Sequence, residues 1–231
     1  MHIRSAKRPC FVVMGAAPDT ANLGVSALSV ATLTALFARI PEAEVTVLDF
    51  GRGLRADTIK REGAEHQFSR YGSVNTRRIY RRESIYNMAL SSCFGGLGHP
   101  VLRLFRESDA VLDVTGGDSF TDLYGDKFFK SITLRKRILL REQASLVLLP
   151  QTYGPFASSR NRHIAQDIVR RSAMAWARDE RSFDVLKDLL GDAFDPLRHR
   201  SGVDVAFGLP AVQPAEDALG AAAEWLGDKS A

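Results

Sequence analysis

The segment that decides the fold of this 231-residue chain is DAVLDVTGGDSFTDLYGD, from Asp109 to Asp126. A short apolar strand stops at Gly116 and Gly117, and an acidic, hydroxyl-rich loop follows it. Glycine at the tip of a strand either serves a tight turn or lets a ligand approach the backbone closely. The rest of the sequence has to distinguish a turn from a binding site.

The composition is that of an ordinary folded protein. Hydrophobic residues make up 45% of the chain and charged residues 25%, and the length suits one large domain or two small ones. The two cysteines, Cys10 and Cys93, suggest neither a disulfide framework nor a metal site, and they fit a reducing cytoplasm. No apolar stretch approaches the roughly 20 residues that a membrane span needs. We therefore expect a cytoplasmic protein.

Short apolar runs alternate with helical patterns along the chain. The strand candidates are CFVVMG (10–15), EVTVLDF (44–50), DAVLDVT (109–115), ASLVLLPQT (144–152), MAWARD (174–179) and a last short strand within SGVDVAFGLP (201–210). This alternation predicts an α/β sandwich, with helices packed around a parallel sheet. Ligands of such sheets bind at the carboxyl ends of the strands. The loops after Met14, Thr115, Pro150 and Ala177 should therefore meet along one edge.

Helix caps support this division into elements. Asn22 precedes the first helix, Ser158 or Ser159 precedes a later one, and Asp179 precedes another, each with a side-chain oxygen that can accept a backbone N–H one turn in. Gly191 is placed to end the last of these helices.

Two regions lack clear periodicity. Residues 51–82 are rich in Gly, Arg and polar side chains, and they predict a long loop or insertion with room for one strand. The end of the chain, from Gln213, predicts an unanchored helix or a disordered tail.

Arginines crowd together between Arg70 and Arg82, beside Tyr71 and Tyr80, in a chain whose net charge is +4. Such a cluster is typical of a solvated loop or helix face. It is also typical of a surface for an anionic partner, such as a phosphorylated substrate or, through Arg70–Arg82, the inner face of an acidic membrane. No nucleic-acid-binding motif accompanies the cluster, so we expect no nucleic-acid partner.

The sequence lacks the motifs of several common enzyme classes. MGAAPDT after the first strand is not the GxGxxG of a dinucleotide site, and no phosphate-binding loop of the GxxxxGK[ST] type occurs. The five histidines show neither metal-ligand spacing nor an evident nucleophile partner. We expect no metal site and no hydrolytic triad.

Five ordered motifs carry a resemblance to a known family. They are NLG (22–24), DVTGGDSFTD (113–122), PQTYGPF (150–156), ARDERS (177–182) and VDVAF (203–207). In this order the chain resembles the polysaccharide pyruvyl transferase family over roughly residues 10–210. Two positions depart from the family pattern, because Val25 stands where an acidic residue usually follows NxG, and Asp118 replaces the third glycine of GGG.

The resemblance implies transfer of a pyruvyl group from phosphoenolpyruvate to sugar hydroxyls, as a ketal on an exopolysaccharide or cell-wall glycan precursor. Phosphoenolpyruvate is then the donor substrate, a glycan or lipid-linked sugar is the acceptor, and no cofactor is expected. On this basis the backbone at Gly116 and Gly117 and the helix start at Asn22 would hold an anion or hydroxyl, Arg178 would clamp the donor carboxylate, and Asp118 or Asp122 would bind the acceptor. The implied substrate-binding residues are Asn22, Gly24, Gly116, Gly117, Asp118, Asp122, Gln151 and Arg178. No catalytic residue is assigned.

The resemblance also implies a domain organisation. Residues 1–210 would form a three-layer Rossmann-like domain that resembles the N-terminal half of a GT-B-type fold, and residues 211–231 would be a C-terminal tail with the second domain absent. A partner chain would then supply the missing domain, and this chain alone would not catalyse the reaction. Two alternatives stay open, a GT-B-like glycosyltransferase that uses a nucleotide sugar, and a non-catalytic truncated half-protein.

Overall fold

The protein is described by a computed structural model that covers residues 8–61, 64–96 and 98–211. Its centre is one eight-stranded sheet with the strand order β3-β4-β2-β1-β5-β6-β7-β8. All neighbouring strands run parallel except β3, which pairs antiparallel with β4 at the sheet edge. The strands are β1 (Cys10–Met14), β2 (Glu44–Asp49), β3 (Leu54–Arg61), β4 (Ala64–Gly72), β5 (Ala110–Asp113), β6 (Leu146–Gln151), β7 (Met174–Ala177) and β8 (His199–Ser201).

Helices cover both faces of the sheet, because the side chains of a strand alternate between its two faces. On one face α1 packs through Leu33 and Phe37 against Val13 and Val47. On the other face α2 to α6 cover the larger core. The helices are α1 (Leu23–Arg39), α2 (Ile85–Cys93), α3 (Pro100–Glu107), α4 (Asp126–Arg141), α5 (Ser159–Arg171) and α6 (Glu180–Leu190). The expected three-layer α/β sandwich around a parallel sheet is thereby confirmed.

The predicted helix starts are confirmed as well. The side chains of Asn22, Ser158 and Asp179 accept hydrogen bonds from Val25 N–H, Asn161 N–H and Ser182 N–H at 3.2, 3.4 and 2.7 Å. Each bond satisfies a donor that the first turn of a helix leaves without a partner.

The prediction of a long loop over residues 51–82 was wrong, because residues 54–61 and 64–72 of this segment form a two-stranded antiparallel hairpin, β3 and β4. The hairpin lies at the sheet edge, and charged positions such as Asp57 and Glu65 are at least partly exposed. Charged residues on an edge strand prevent pairing with other chains, and they also conceal the apolar alternation that marks a strand.

The last strand was also placed too late in the sequence. It is His199–Ser201, which pairs parallel with β7, whereas Val205–Gly208 forms a 3-10 turn capped by the Asp204 side chain. The expected tail from Gln213 lies outside the described residues. In the part of the chain that the structure describes, no helix is both long and apolar enough to cross a bilayer.

Candidate functional site

The loops that follow the parallel strands form one continuous edge, as the sequence predicts. Each loop is tied to the next by a backbone hydrogen bond. These bonds run from Gly116 N–H to Gly15 O (2.8 Å), from Thr152 N–H to Gly117 O (2.8 Å), from Arg178 N–H to Gln151 O (3.2 Å) and from Gly202 N–H to Ala177 O (2.8 Å). The edge is therefore a fixed surface rather than a set of independent loops.

A cavity of about 620 Å³ opens at this edge, over the ends of β1, β2 and β5. The start of α1 and one side of α4 complete its wall. Its polar and charged lining includes Asn22, Asp49, Thr115, Lys127, Arg135 and Lys136. The volume is within the range of small-molecule sites.

A buried ion pair forms the floor of the cavity. The Lys136 ammonium lies 2.9 Å from the Asp113 carboxylate and donates a 2.7 Å hydrogen bond to the Thr115 hydroxyl. The same ammonium lies 5.1 Å from the ring centre of Phe120. Burial lowers the pKa of Lys136, and the charge of Asp113 opposes that shift. Burial of a charge inside a protein has a large desolvation free energy unless the charge is paired and hydrogen-bonded, as it is here.

The backbone around this pair is unusual. Thr115 has a φ of +43°, a conformation that non-glycine residues rarely adopt. Gly15 lies directly beside it, and a Cβ on Gly15 would come within 2.4 Å of the Thr115 nitrogen. Glycine is therefore required at position 15 by the close approach of the two loops. Backbone held in a sparsely populated region often marks a functional site.

Arg135 brings a second cation to the wall. Its guanidinium donates to the Ser73 carbonyl at 2.9 Å and to the Ser73 hydroxyl at 3.0 Å, with weaker contacts to Ser131. No carboxylate among the described residues lies within ion-pair distance of it. Burial lowers the pKa of Arg135 to about 10, partly offset by the charge of Asp113. A desolvated guanidinium with only neutral partners favours an anionic ligand in the space it faces.

Of the predicted binding residues, Asn22 and Gly116 line this cavity. Gly24 lies one residue into α1, next to the Asn22 side chain. Asn22 and Gly116 thus place the start of α1 and the Gly-Gly tip at the same edge of the sheet, as expected.

The role expected for the backbone N–H groups of the Gly-Gly tip needs correction. Gly116 N–H donates to Gly15 O, and Gly117 N–H donates to Val114 O, both at 2.8 Å. Neither donor is left to hold an anion. Gly117 instead allows close packing, because a Cβ at this position would lie 2.9 Å from Leu28 and 3.2 Å from Arg178.

The predicted acidic residues have structural partners. Asp118 accepts hydrogen bonds from the Ser119 hydroxyl and the Tyr124 hydroxyl. Asp122 accepts from the N–H groups of Ala157 and Ser158 at 2.9 and 3.0 Å, and so fixes the start of α5. Burial raises the pKa of Asp122, but these N–H donors outweigh burial and lower it below its usual value.

Gln151 and Arg178 lie along the same edge, outside the cavity wall. Gln151 is fully buried, and its amide donates to the Asp113 carbonyl at 3.3 Å. The Arg178 guanidinium donates to the Asp204 carboxylate at 2.9 Å, and this pair joins the loop after β7 to the 3-10 turn. In this structure Arg178 therefore has a protein carboxylate as its partner.

Comparison with known proteins decides the family. A family model described as polysaccharide pyruvyl transferase matches residues 22–229, which is most of the chain. The chain belongs to the polysaccharide pyruvyl transferase family. The expected resemblance is thereby confirmed.

Other comparisons add little to this family membership. No curated protein matches the chain. Among solved structures, the chain is similar to an alpha,alpha-trehalose-phosphate synthase (UDP-forming) from Burkholderia vietnamiensis, with 10% sequence identity and a TM-score of 0.41. The match covers 96% of this chain and 52% of that enzyme, so the chain spans about half the length of the similar protein.

Sequence reasoning missed a hydroxyl and three charged groups that line this family member's cavity, namely Thr115, Asp113, Arg135 and Lys136. One signal was available in the sequence of α4. Lys127, Ser131 and Arg135 are spaced four residues apart, so they share one face of the helix, and all three line the cavity. In the described part of the chain, no group of three His, Cys, Asp or Glu side chains has the arrangement of a metal site.

Large apolar side chains stand exposed around the same edge. Leu23 begins α1, Phe50 follows β2, Leu123 and Tyr124 follow β5, and Phe207 follows β8, with exposures between 57% and 84%. Exposed apolar surface of this kind usually marks an interaction site.

Proposed function

We propose that this chain forms the donor-binding part of a pyruvyl transferase that moves the pyruvyl group of phosphoenolpyruvate onto a sugar as a ketal. The observation that carries the proposal is a pair of cations, the half-buried Arg135 and the buried Lys136, in a cavity at the carboxyl edge of the sheet. Membership of the family supports the reaction class, and the cavity supports an anionic donor.

The charges of phosphoenolpyruvate suit this cavity. The donor carries a carboxylate and a phosphate, and each oxyanion is best held by several charge-assisted hydrogen bonds. We propose that the Arg135 guanidinium binds one of these groups and that the exposed ammonium of Lys127, two helical turns earlier on α4, binds the other. The helix α1 begins directly after Asn22, and the positive end of its dipole adds to the attraction for an anion.

Ketal formation requires changes at both the donor and the acceptor. A proton adds to the methylene carbon, and the oxygen of one sugar hydroxyl bonds to the central carbon. The bond from that carbon to the phosphate oxygen breaks, and inorganic phosphate leaves. A second hydroxyl of the same sugar then bonds to the central carbon. Both hydroxyls lose their protons, of which one balances the proton added to the methylene carbon and the other leaves with the inorganic phosphate. We propose that Arg135 and Lys136 stabilise the negative charge that gathers on the departing phosphate.

The acceptor enters from the exposed side in this proposal. We infer that Phe50, Tyr124 and Phe207 face the glycan or lipid-linked sugar, together with a second domain or a partner chain that closes the site. A closed site supplies the proximity and water exclusion that a two-substrate reaction requires.

Calorimetry on the 231-residue protein tests the donor assignment. We expect phosphoenolpyruvate to bind, and Arg135→Gln to weaken it by about tenfold to a hundredfold, the effect of losing one charge-assisted hydrogen-bond partner. Arg137→Gln is the matched control, because Arg137 is the exposed arginine two positions along the same helix. Binding of a nucleotide sugar without binding of phosphoenolpyruvate would contradict the proposal. Mass spectrometry of lipid-linked glycans after incubation with phosphoenolpyruvate then tests ketal formation.

A further inference from the structure

A turn beside the cavity exposes positive and apolar side chains together. Residues 77–82, RRIYRR, lie between β4 and α2. Arg77, Arg78 and Arg82 are exposed, and Ile79 and Tyr80 keep 54% and 77% of their surface in solvent. An aliphatic side chain and an aromatic side chain therefore stand between arginines at the most exposed part of the turn.

The charge of this turn is largely uncompensated. Within the described parts of the chain, no carboxylate lies within ion-pair distance of Arg77, Arg78 or Arg82, whereas Arg81 lies 3.7 Å from Glu83. Arg70 differs from these, because it pairs with Asp19, Asp49 and Asp57 and is thereby held within the protein. The free positive charge of the cluster is therefore limited to residues 77–82.

Hydrogen bonds at its base hold the turn in place. Val74 N–H donates to Glu83 O at 2.8 Å, and Ile85 N–H donates to Val74 O at 3.0 Å. The Asn87 amide donates to the carbonyl of Ile79 itself at 2.5 Å. The exposed side chains are therefore presented from a fixed backbone, which lowers the entropy cost of binding a surface.

We propose that residues 77–82 dock the protein on an anionic lipid bilayer. Arginine side chains are attracted by anionic headgroups, and Tyr80 and Ile79 provide the interfacial aromatic group and the apolar group that enter the headgroup boundary. A soluble polyanion would use the arginines alone and would gain nothing from an exposed isoleucine. The combination of both kinds of side chain in one turn favours the membrane.

The position of the turn gives docking a consequence for the cavity. Ser73 and Asn75, just before the turn, are part of the cavity wall, and Ser73 accepts hydrogen bonds from Arg135. A protein docked through this turn would hold the cavity close to the bilayer surface. An acceptor sugar attached to a lipid would be presented there. Docking itself does not depend on the proposed function, because it requires neither donor nor acceptor.

Sedimentation of the full chain with vesicles tests the proposal. We expect binding to vesicles of phosphatidylglycerol and phosphatidylcholine in equal parts, and none to phosphatidylcholine alone. Arg77→Ala, Arg78→Ala and Arg82→Ala together should weaken binding by about a hundredfold, because each arginine near an anionic surface contributes about fivefold. The matched control removes the exposed Arg137, Arg160 and Arg181 from α4, α5 and α6, and it should retain binding.

A second variant separates a membrane from a soluble polyanion. Ile79→Ser with Tyr80→Ser keeps all the charges, and it should weaken vesicle binding by at least about tenfold through the lost apolar contact. Thermal melting checks that each variant is folded. Equal binding by the arginine variant and its control would overturn the proposal. So would unchanged binding of the serine variant together with displacement from vesicles by a sulfated polysaccharide, since that result assigns the turn to a soluble glycan.

Discussion

The Lys136 ammonium and the Asp113 carboxylate lie 2.9 Å apart, and each side chain keeps only 2% of its surface in solvent. Asp113 ends β5, and Lys136 comes from the middle of α4, so the pair joins the central sheet to the helix that forms the cavity wall. Thr115 is hydrogen-bonded to both charged groups. The floor of the cavity is therefore one connected polar network.

Removal of one member of this pair should strongly destabilise the fold. Lys136→Met keeps much of the side-chain volume but leaves the Asp113 charge buried without its partner. Breaking a buried pair in this way costs about 3–5 kcal/mol. We expect the free energy of unfolding, measured by urea denaturation, to fall by that amount.

The double variant provides the control. Asp113→Asn combined with Lys136→Met removes both charges, so it should recover much of the stability lost in Lys136→Met alone. A loss in the double variant equal to the sum of the losses in Lys136→Met and Asp113→Asn would show that the two side chains contribute independently, and would contradict a coupled pair.

The sequence predicted the parallel core well because its strands are continuous apolar runs. Successive residues such as Val12 and Val13 are both fully buried, in the cores on opposite faces of the sheet, and burial on both faces demands apolar side chains at successive positions. The hairpin β3–β4 escaped prediction because only a few of its side chains, Phe68 and Tyr71 among them, are buried. The short strand β8 depends on tertiary packing, since His199 is buried beside Phe194.

The site was predictable in its place but less so in its chemistry. Asn22 and Gly116 were placed at the cavity because the topology of a parallel sheet brings strand ends together. Asp113 resembles an ordinary strand end in the sequence, and Lys136 resembles one of several basic residues in an amphipathic helix. Their pairing depends on how α4 rotates against β5, and the spacing within either segment does not contain that information.

Gly15 provides a prediction about the contact between the two cavity loops. Gly15→Ala places a Cβ within 2.4 Å of the Thr115 backbone nitrogen at a φ of +88°, so the loops must separate. Backbone strain of this kind costs about 1–3 kcal/mol. We expect the free energy of unfolding, measured by urea denaturation, to fall by at least this amount. We also expect weaker binding of phosphoenolpyruvate.

Gly53→Ala is the matched control for Gly15→Ala. Gly53 also has a positive φ, +58°, but a Cβ there meets no atom within 4 Å. The control should lose about 1 kcal/mol from the backbone conformation and keep its donor affinity. Similar effects of the two substitutions on donor affinity would contradict a role for the Gly15–Thr115 contact in shaping the cavity.

His99 predicts a dependence of stability on pH. Its side chain is 4% exposed, and its ring nitrogen Nε2 lies 3.0 Å from the Arg82 carbonyl. Burial lowers the pKa of His99 below its ordinary value. Between these two pKa values the unfolded chain binds more protons than the folded protein. The contribution of His99 to stability is therefore present above its unfolded pKa and is lost as the pH falls through the pKa of the folded state.

Denaturation at several pH values measures this effect. We expect the free energy of unfolding to fall between about pH 7 and pH 5, the range around the ordinary pKa of histidine. His99→Gln should make this decrease shallower. It should not abolish the decrease, because burial also lowers the pKa of His199. Identical slopes in the original protein and in His99→Gln would show that His99 is not the group responsible.

Arg178 and Asp204 allow two roles to be separated, an anchor between loops and a clamp for the donor. Their 2.9 Å contact predicts an anchor, in which Arg178→Ala and Asp204→Ala each remove the same interaction. Both side chains are partly exposed, so we expect each substitution to cost about 1 kcal/mol and the double variant to cost little more than either.

The affinity for phosphoenolpyruvate separates these roles, because a clamp predicts opposite changes in affinity for the two single variants. A clamp that holds the donor carboxylate would lose affinity in Arg178→Ala, whereas Asp204→Ala would release the guanidinium and increase affinity. An anchor would change stability in both variants and leave the dissociation constant of phosphoenolpyruvate similar in the folded protein. We expect the second outcome, because Arg178 lies outside the cavity wall and Asp204 already occupies its guanidinium. Opposite changes in the two dissociation constants would return Arg178 to the donor site and move that site from α4 toward the loop after β7.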